Sequence, residues 1–150
     1  MAIRNIVIEG DPLLKKTSRE VETFDSRLHI LLDDMAETMA RADGCGLAAV
    51  QVGVLRRVCI IDVGEGVIEL INPEIVAKSG RQEDVEGCLS CPGEYGVTVR
   101  PARVTVKAMD RYGKPIKVMG EGLKARALCH EIDHLDGVLF KQHVIRKCES

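Results

Sequence analysis

The segment Cys129-His130-Glu131-Ile132-Asp133-His134 contains a His-Glu-x-x-His pattern. On a helix, positions 130 and 134 lie about 40° apart around the axis and one turn along it. Both imidazoles can then grip one metal ion. Glu131 is turned about 100° from His130, so it would flank the ion and take a proton from metal-bound water. The pattern supplies two ligands and a base. The third ligand decides the chemistry.

Upstream, Cys88-Leu89-Ser90-Cys91 offers thiols, and three metal readings and one redox reading compete. A structural site would use Cys88, Cys91, His130 and His134. Against it, 38 residues separate Cys91 from His130, where a zinc finger has about 12 to 15, and a chain of this size has a core that folds without metal. A thioredoxin-like pair needs a strand-to-helix unit around Cys88, and Leu-Ser-Cys-Pro reads instead as a turn. A peptidase needs a downstream ligand, yet Asp136, His143 and Glu149 do not fall at the required spacing. The remaining reading takes Cys88 alone beside His130 and His134. It leaves a fourth position open to water, the mark of a catalytic metal.

These residues need elements to hold them. Leu28, Leu31, Leu32, Met35 and Met39 recur at helical spacing between about Phe24 and Arg41, with Asp25 or Ser26 as cap and Gly44 beyond the end. Val58 to Val63 and Val67 to Ile71 flank Gly64-Glu65-Gly66 as a hairpin. Further strands are predicted at Ile75–Lys78, Val97–Val99, Val104–Met109 and Pro115–Val118. A second helix begins near Leu123, carries the His/Glu face and ends at Gly137. The order helix, antiparallel strands, helix predicts an α+β fold: an N-terminal helix, then strands, then a C-terminal metal-binding helix.

At 150 residues the chain fits one domain, 1–150, with 45% hydrophobic and 29% charged residues, ordinary values for a globular protein. The longest uncharged stretch, Gly44 to Leu55, is far short of the about 20 residues a membrane span needs. The first residues lack a signal-peptide core, so a cytoplasmic location without membrane contact is expected. A net charge of −2 and no Trp argue against nucleic acid as a direct partner. Lys141, His143, Arg146 and Lys147 read as a solvated basic tail. Without a secretion signal, the six cysteines point to metal or catalysis rather than disulfides.

Gly44-Cys45-Gly46-Leu47-Ala48-Ala49-Val50-Gln51, Glu86-Gly87-Cys88-Leu89-Ser90 and His130-Glu131-Ile132-Asp133-His134-Leu135 together resemble the three signature motifs of bacterial peptide deformylases, in the family's order and over nearly the whole chain. The resemblance implies removal of the formyl group from N-formylmethionine on newly made polypeptides, releasing formate. It implies Cys88, His130 and His134 as ligands of one divalent ion, Fe²⁺ in the cell, with Zn²⁺, Ni²⁺ or Co²⁺ as substitutes. Glu131 would be base and then acid. The Gln51 side-chain amide and the Leu89 N–H would stabilise the oxyanion, each donor worth about 2.7–4 kcal/mol of barrier. Substrate would pair with main chain near Cys45, Gly46 and Gly87. Its methionine side chain would enter a pocket around Cys45, Leu123, Ala127 and the His130 ring. The partner is thus an N-formylmethionyl nascent polypeptide, with contact to the ribosome.

Arg100 is expected to pair with Glu86 and lock the strand bearing Cys88. Asp133 should support the helix, and His29 and His143 should face solvent. The chain departs from the family at Cys45, Cys91 and Cys129, where aliphatic residues or Gln are usual, and at Val50, often Pro. Cys is a small hydrophobe, so these read first as conservative packing; the alternative is that, beside Cys88, the three thiols make a metal site unusually sensitive to oxidants.

Overall fold

The structure is a computed structural model describing residues 2–148; Glu149, weighed above as a ligand, lies outside them. Helix α1 (Ser26–Arg41) begins where Asp25 accepts a hydrogen bond from the Leu28 N–H at 3.2 Å. The predicted Leu/Met stripe is its buried face. Eight strands follow in two antiparallel sheets. Strands β1 (Gly46–Ala48), β2 (Val58–Ile61), β3 (Ile68–Ser79), β6 (Arg103–Met109) and β7 (Pro115–Glu121) form one, in the order β1-β2-β3-β6-β7. The other is β4 (Gln82–Cys88), β5 (Cys91–Arg100) and β8 (Val144–Lys147), in that order. Helix α2 (Leu123–Leu135) carries the His-Glu-x-x-His segment.

The larger sheet is covered on both faces, which explains why β1 and β2 are apolar without alternation. Side chains still alternate between the two sides. Leu47, Ala49, Val58 and Ile60 pack with the α1 stripe. Ala48, Val50, Cys59 and Ile61 pack with Ala125, Leu128, Cys129 and Ile132 of α2. Burying α2 here, at about 1.5–3 kcal/mol per large apolar side chain, fixes the helix on the sheet and turns its histidine face toward β4.

Three expectations are corrected. The strands predicted at Val67–Ile71 and Ile75–Lys78 are parts of one long strand, β3. The chain passes Asn72-Pro73 through an irregularity, with Asn72 at φ 51 and a register shift between Ile71 and Glu74. The Asn72 side chain compensates by bonding both the N–H and the carbonyl of Val21, at 2.8 and 2.9 Å. Residues 82–96 form most of a hairpin where only Val97–Val99 reads as strand. Gly87, Pro92, Gly93 and Gly96 weaken the local signal, and pairing between β4 and β5 overrides it. The basic tail is not merely solvated: β8 pairs with β5.

Candidate metal centre

Strand β4 brings Cys88 to the histidine face of α2. Cys88 Sγ and one nitrogen from each of His130 and His134 lie within 4.8 Å of one another. Cys88 Sγ is 3.3 Å from His134 Nε2, and the two rings stand 5.0 Å apart at 68°. Ligands at about 2.0–2.3 Å around one tetrahedral ion would sit at such separations. Cys91 is not among them. Its thiol is buried and faces Glu9 Oε2 at 3.7 Å, so the donor set is one Cys and two His rather than two and two.

The imidazoles are prepared for an ion. The Glu86 carboxylate pairs with His130 Nδ1 at 2.6 Å; if an ion replaces the proton on Nε2, this bond keeps the remaining ring proton on Nδ1. Burial pushes the Glu86 carboxyl upward, yet the hydrogen bonds from His130 and Arg100 hold it at about 2. Burial also pushes His134 down to about 3, aided by the nearby His130 charge; its imidazole is neutral and able to ligate. Behind them, Arg100 grips Glu86 through Nε at 3.1 Å and Nη2 at 2.7 Å, and reaches Asp133 Oδ2 at 2.7 Å. The expected Arg100–Glu86 lock is present. The bond from Glu86 to the His130 ring was not anticipated, although positions 86 and 88 are two apart on one strand and the spacing hints at it.

Glu131 stands beside the donors with Oε2 at 4.0 Å from His130 Nε2. Its other oxygen, Oε1, is buried without a partner among the described residues. Burial pushes this carboxyl up to about 7, against the opposing pull of His130. Gly46 makes room for it, since a Cβ at position 46 would come 2.8 Å from Glu131 Cδ. Gly44 does the same for Leu89, whose Cδ1 would be 2.7 Å from a Cβ there.

Gln51 lies on a short 3-10 turn, Ala49–Val52, directly after β1. Its Oε1 accepts from the Ala48 N–H at 2.9 Å, and its Nε2 donates to Ser90 Oγ at 3.1 Å and faces Cys88 Sγ at 3.5 Å. Ser90, fully buried, is a contact the sequence reading missed. A cavity of about 430 Å³ opens at this point. Cys45, Gly46, Gln51, Gly87, Cys88, Leu89, Leu123, Ala127, His130 and Glu131 all line it, with Val85, Tyr95 and Arg126 as unforeseen neighbours. Of the residues singled out for chemistry or substrate, His134 alone is absent from the wall; it is fully buried behind it.

The two outlying histidines are not simply solvent-facing. His29 Nε2 lies 2.9 Å from the Arg111 carbonyl, and His143 Nε2 lies 3.2 Å from Asp133 Oδ2. The unusual thiols also divide. Cys45 is exposed at the cavity, whereas Cys91 and Cys129 are buried. Burial pushes the thiols of Cys91 and Cys129 up to about 12 and about 11. Held as thiols, these two make poor targets for oxidants, and their burial agrees with the packing reading rather than with the oxidant-sensitive alternative.

Comparison with known proteins bears on the same cleft. The polypeptide deformylase family model matches residues 3–150. The peptide deformylase of Alkaliphilus metalliredigens is 60% identical over 147 residues, covering 98% of this chain and 100% of that protein. That of Acetivibrio thermocellus is 60% identical over 146 residues, covering 97% and 86%. Among solved structures, a peptide deformylase from Legionella pneumophila matches with a TM-score of 0.93 at 49% identity, covering 95% of this chain and 86% of that one. The Ehrlichia chaffeensis peptide deformylase in complex with actinonin matches with a TM-score of 0.94 at 41% identity, covering 96% and 90%. Sequence likeness and fold likeness thus both run nearly the length of the polypeptide, through all three segments that converge on the cavity, and the chain belongs to the peptide deformylase family.

Proposed function

We propose that Cys88, His130 and His134 hold one divalent metal ion and that the cavity beside them hydrolyses the formamide of N-formylmethionyl polypeptides, releasing formate. Peptide deformylases are metalloenzymes, and the residues here fit an ion: a thiol and two imidazoles, with the second nitrogen of His130 held by Glu86. The observation that carries the reading is the convergence of these three donors within 4.8 Å beside a buried, unpartnered Glu131 oxygen. A divalent ion in this place supplies Lewis-acid polarisation of the formyl oxygen and of the attacking water.

The chain's own residues do the rest. Glu131 takes the proton from water as it attacks the formyl carbon. It then delivers the proton to the amine nitrogen as the C–N bond breaks, acting as base and then acid. A carboxyl raised toward neutrality suits both tasks. The Gln51 side-chain amide, oriented by Ala48 and Ser90, and the Leu89 N–H receive the negative charge developing on the formyl oxygen. Glu86 and Arg100 hold the His130 ring in its ligating tautomer. Extended substrate main chain lies along Cys45, Gly46 and Gly87, and the methionine side chain packs on Leu123, Ala127, Cys45 and the His130 ring.

We read residues 1–150 as one catalytic domain acting in the cytoplasm on nascent chains at the ribosome, with Fe²⁺ as the physiological ion and Zn²⁺, Ni²⁺ or Co²⁺ as substitutes. No described helix is long and apolar enough to cross a membrane. Formate release from formyl-Met-Ala-Ser by protein loaded anaerobically with Fe²⁺ tests the proposal. Release is expected from the native chain and not from Cys88→Ser; equal release from both would overturn it.

A further inference from the structure

Gln51 and Leu89 sit on separate, irregular pieces of chain: a 3-10 turn after β1 and the Leu89-Ser90 turn between β4 and β5. One side-chain bond joins them directly, Gln51 Nε2 to Ser90 Oγ at 3.1 Å. The N-terminal segment joins them a second time. The Val7 N–H donates to the Gln51 carbonyl at 2.7 Å, and the Glu9 N–H donates to the Ser90 carbonyl at 2.8 Å. Positions 7 and 9 are only two residues apart, so the chain between these two bonds can span at most about 7 Å. The arm therefore works as a ruler between the two turns.

Both ends of the ruler are pinned. Ala2 N–H donates to Asp34 Oδ1 at 2.8 Å and Arg4 N–H to Thr38 Oγ1 at 2.9 Å, tying the start of the arm to α1. At the other end, Lys141 Nζ donates to Glu9 Oε1 at 2.6 Å and to Glu94 Oε1 at 2.8 Å, while the Cys91 thiol faces Glu9 Oε2 at 3.7 Å. This Glu9–Cys91–Glu94 group has the spacing of metal ligands, but the Lys141 ammonium already occupies its carboxylates. We infer that the arm from Val7 to Glu9, anchored by Lys141, is a positioning element that sets the separation of Gln51 and Leu89 and so the fit of their N–H groups to the developing oxyanion. Val7 and Glu9 touch neither substrate nor ion; they act through the main chain of Gln51 and Ser90. The inference rests on the oxyanion roles given to Gln51 and Leu89 above.

The test compares Val7→Pro, which deletes the N–H, with Val7→Ala, which keeps it, and adds Glu9→Gln and Lys141→Met as variants that slacken the anchor without touching the backbone donors. Misplacement of catalytic groups by a fraction of an ångström costs rate rather than binding. Formate release should therefore show kcat lowered about tenfold in Val7→Pro relative to Val7→Ala, and about threefold in the anchor variants, with KM and metal content unchanged. In ¹⁵N spectra the Gln51 side-chain amide should shift in Val7→Pro and stay in Val7→Ala. Unchanged kcat in folded Glu9→Gln and Lys141→Met would overturn the inference even if Val7→Pro fails to fold. So would a fall in kcat accompanied by equal loss of metal. Absence of formate release from the native chain would count against the proposed function, while the amide shift would still report on the arm.

Discussion

Two clusters of Cys, His and carboxylate flank the same turn, one at each end of Cys88-Leu89-Ser90-Cys91. In each, the donor atoms lie within 4.8 Å of one another. Cys88 meets two imidazoles whose ligating nitrogens have no competing cation, and the adjoining His134 Nδ1 and Glu131 Oε1 are buried without partners among the described residues. Cys91 meets two carboxylates that share the ammonium of Lys141, and those carboxylates hold that ammonium charged well above its usual range. Proximity alone does not distinguish them. The charge already present does: the carboxylates beside Cys91 hold an ammonium and serve to hold chain, whereas no Lys or Arg among the described residues is paired with the Cys88, His130 and His134 donors.

The largest separation between the clusters should come from exchanging sulfur for oxygen. Cys88→Ser is expected to lower metal occupancy from one ion per chain and reduce deformylation by at least about 100-fold, because a serine hydroxyl is not a thiolate ligand. Cys91→Ser should keep both. Elemental analysis beside formate release reads the two variants, and loss of metal from Cys91→Ser would restore the discarded four-ligand reading.

Glu131→Gln comes next. It should cost about 10²–10⁴ in kcat, the range for a positioned acid–base group, with metal content intact. A smaller loss follows from Glu86→Gln, which leaves His130 Nδ1 with a neutral partner. Metal affinity should weaken about 10–100-fold, as for other groups that orient a ligating histidine. Competition with a chelator measures it. If affinity is untouched while activity falls, Glu86 serves the cleft rather than the ion.

Why one cluster was legible in the sequence and the other was not follows from how each is built. His130, Glu131 and His134 share one helix, so their geometry is written in residue spacing. The α1 stripe was readable for the same reason, and so was the hairpin of β2 and β3. The strand that delivers Cys88 has no comparable periodicity: β4 and β5 are held by pairing with each other and interrupted by Gly87, Pro92 and Gly93. Resemblance to a family singled out Cys88, and the structure places its sulfur with the two imidazoles, but physical pattern alone left it among several candidates. The second cluster is assembled from Glu9, Cys91, Glu94 and Lys141, and its longest link joins residues 132 apart in sequence. Such contacts depend on tertiary packing, and local pattern carries no trace of them.

The smallest expected effect needs no substitution, yet it separates the two sulfurs most directly. Thiol reagents attack the thiolate. A thiol pushed up to about 12, as burial does to Cys91, is ionised at pH 8 in only about one molecule in 10⁴. Burial also limits access, so Cys91 should resist iodoacetamide in the native protein whether or not metal is present; Cys129, at about 11 and equally enclosed, should behave alike. Cys88 is only half-buried, and on the proposed ligation a bound ion would withhold its lone pairs from the reagent. Chelation should therefore increase labelling of Cys88, read by peptide mass spectrometry at timed intervals, while leaving Cys91 and Cys129 unlabelled until the chain unfolds. Cys45, exposed at the cavity mouth, serves as the reference for access, slowed because partial desolvation by the cavity wall and the Glu131 charge raise its own thiol. Labelling of Cys91 at the rate of Cys88 in the metal-free protein would mean that the turn between the two clusters opens as a unit, and the contrast between a ligand cluster and a cation-held anchor would fail.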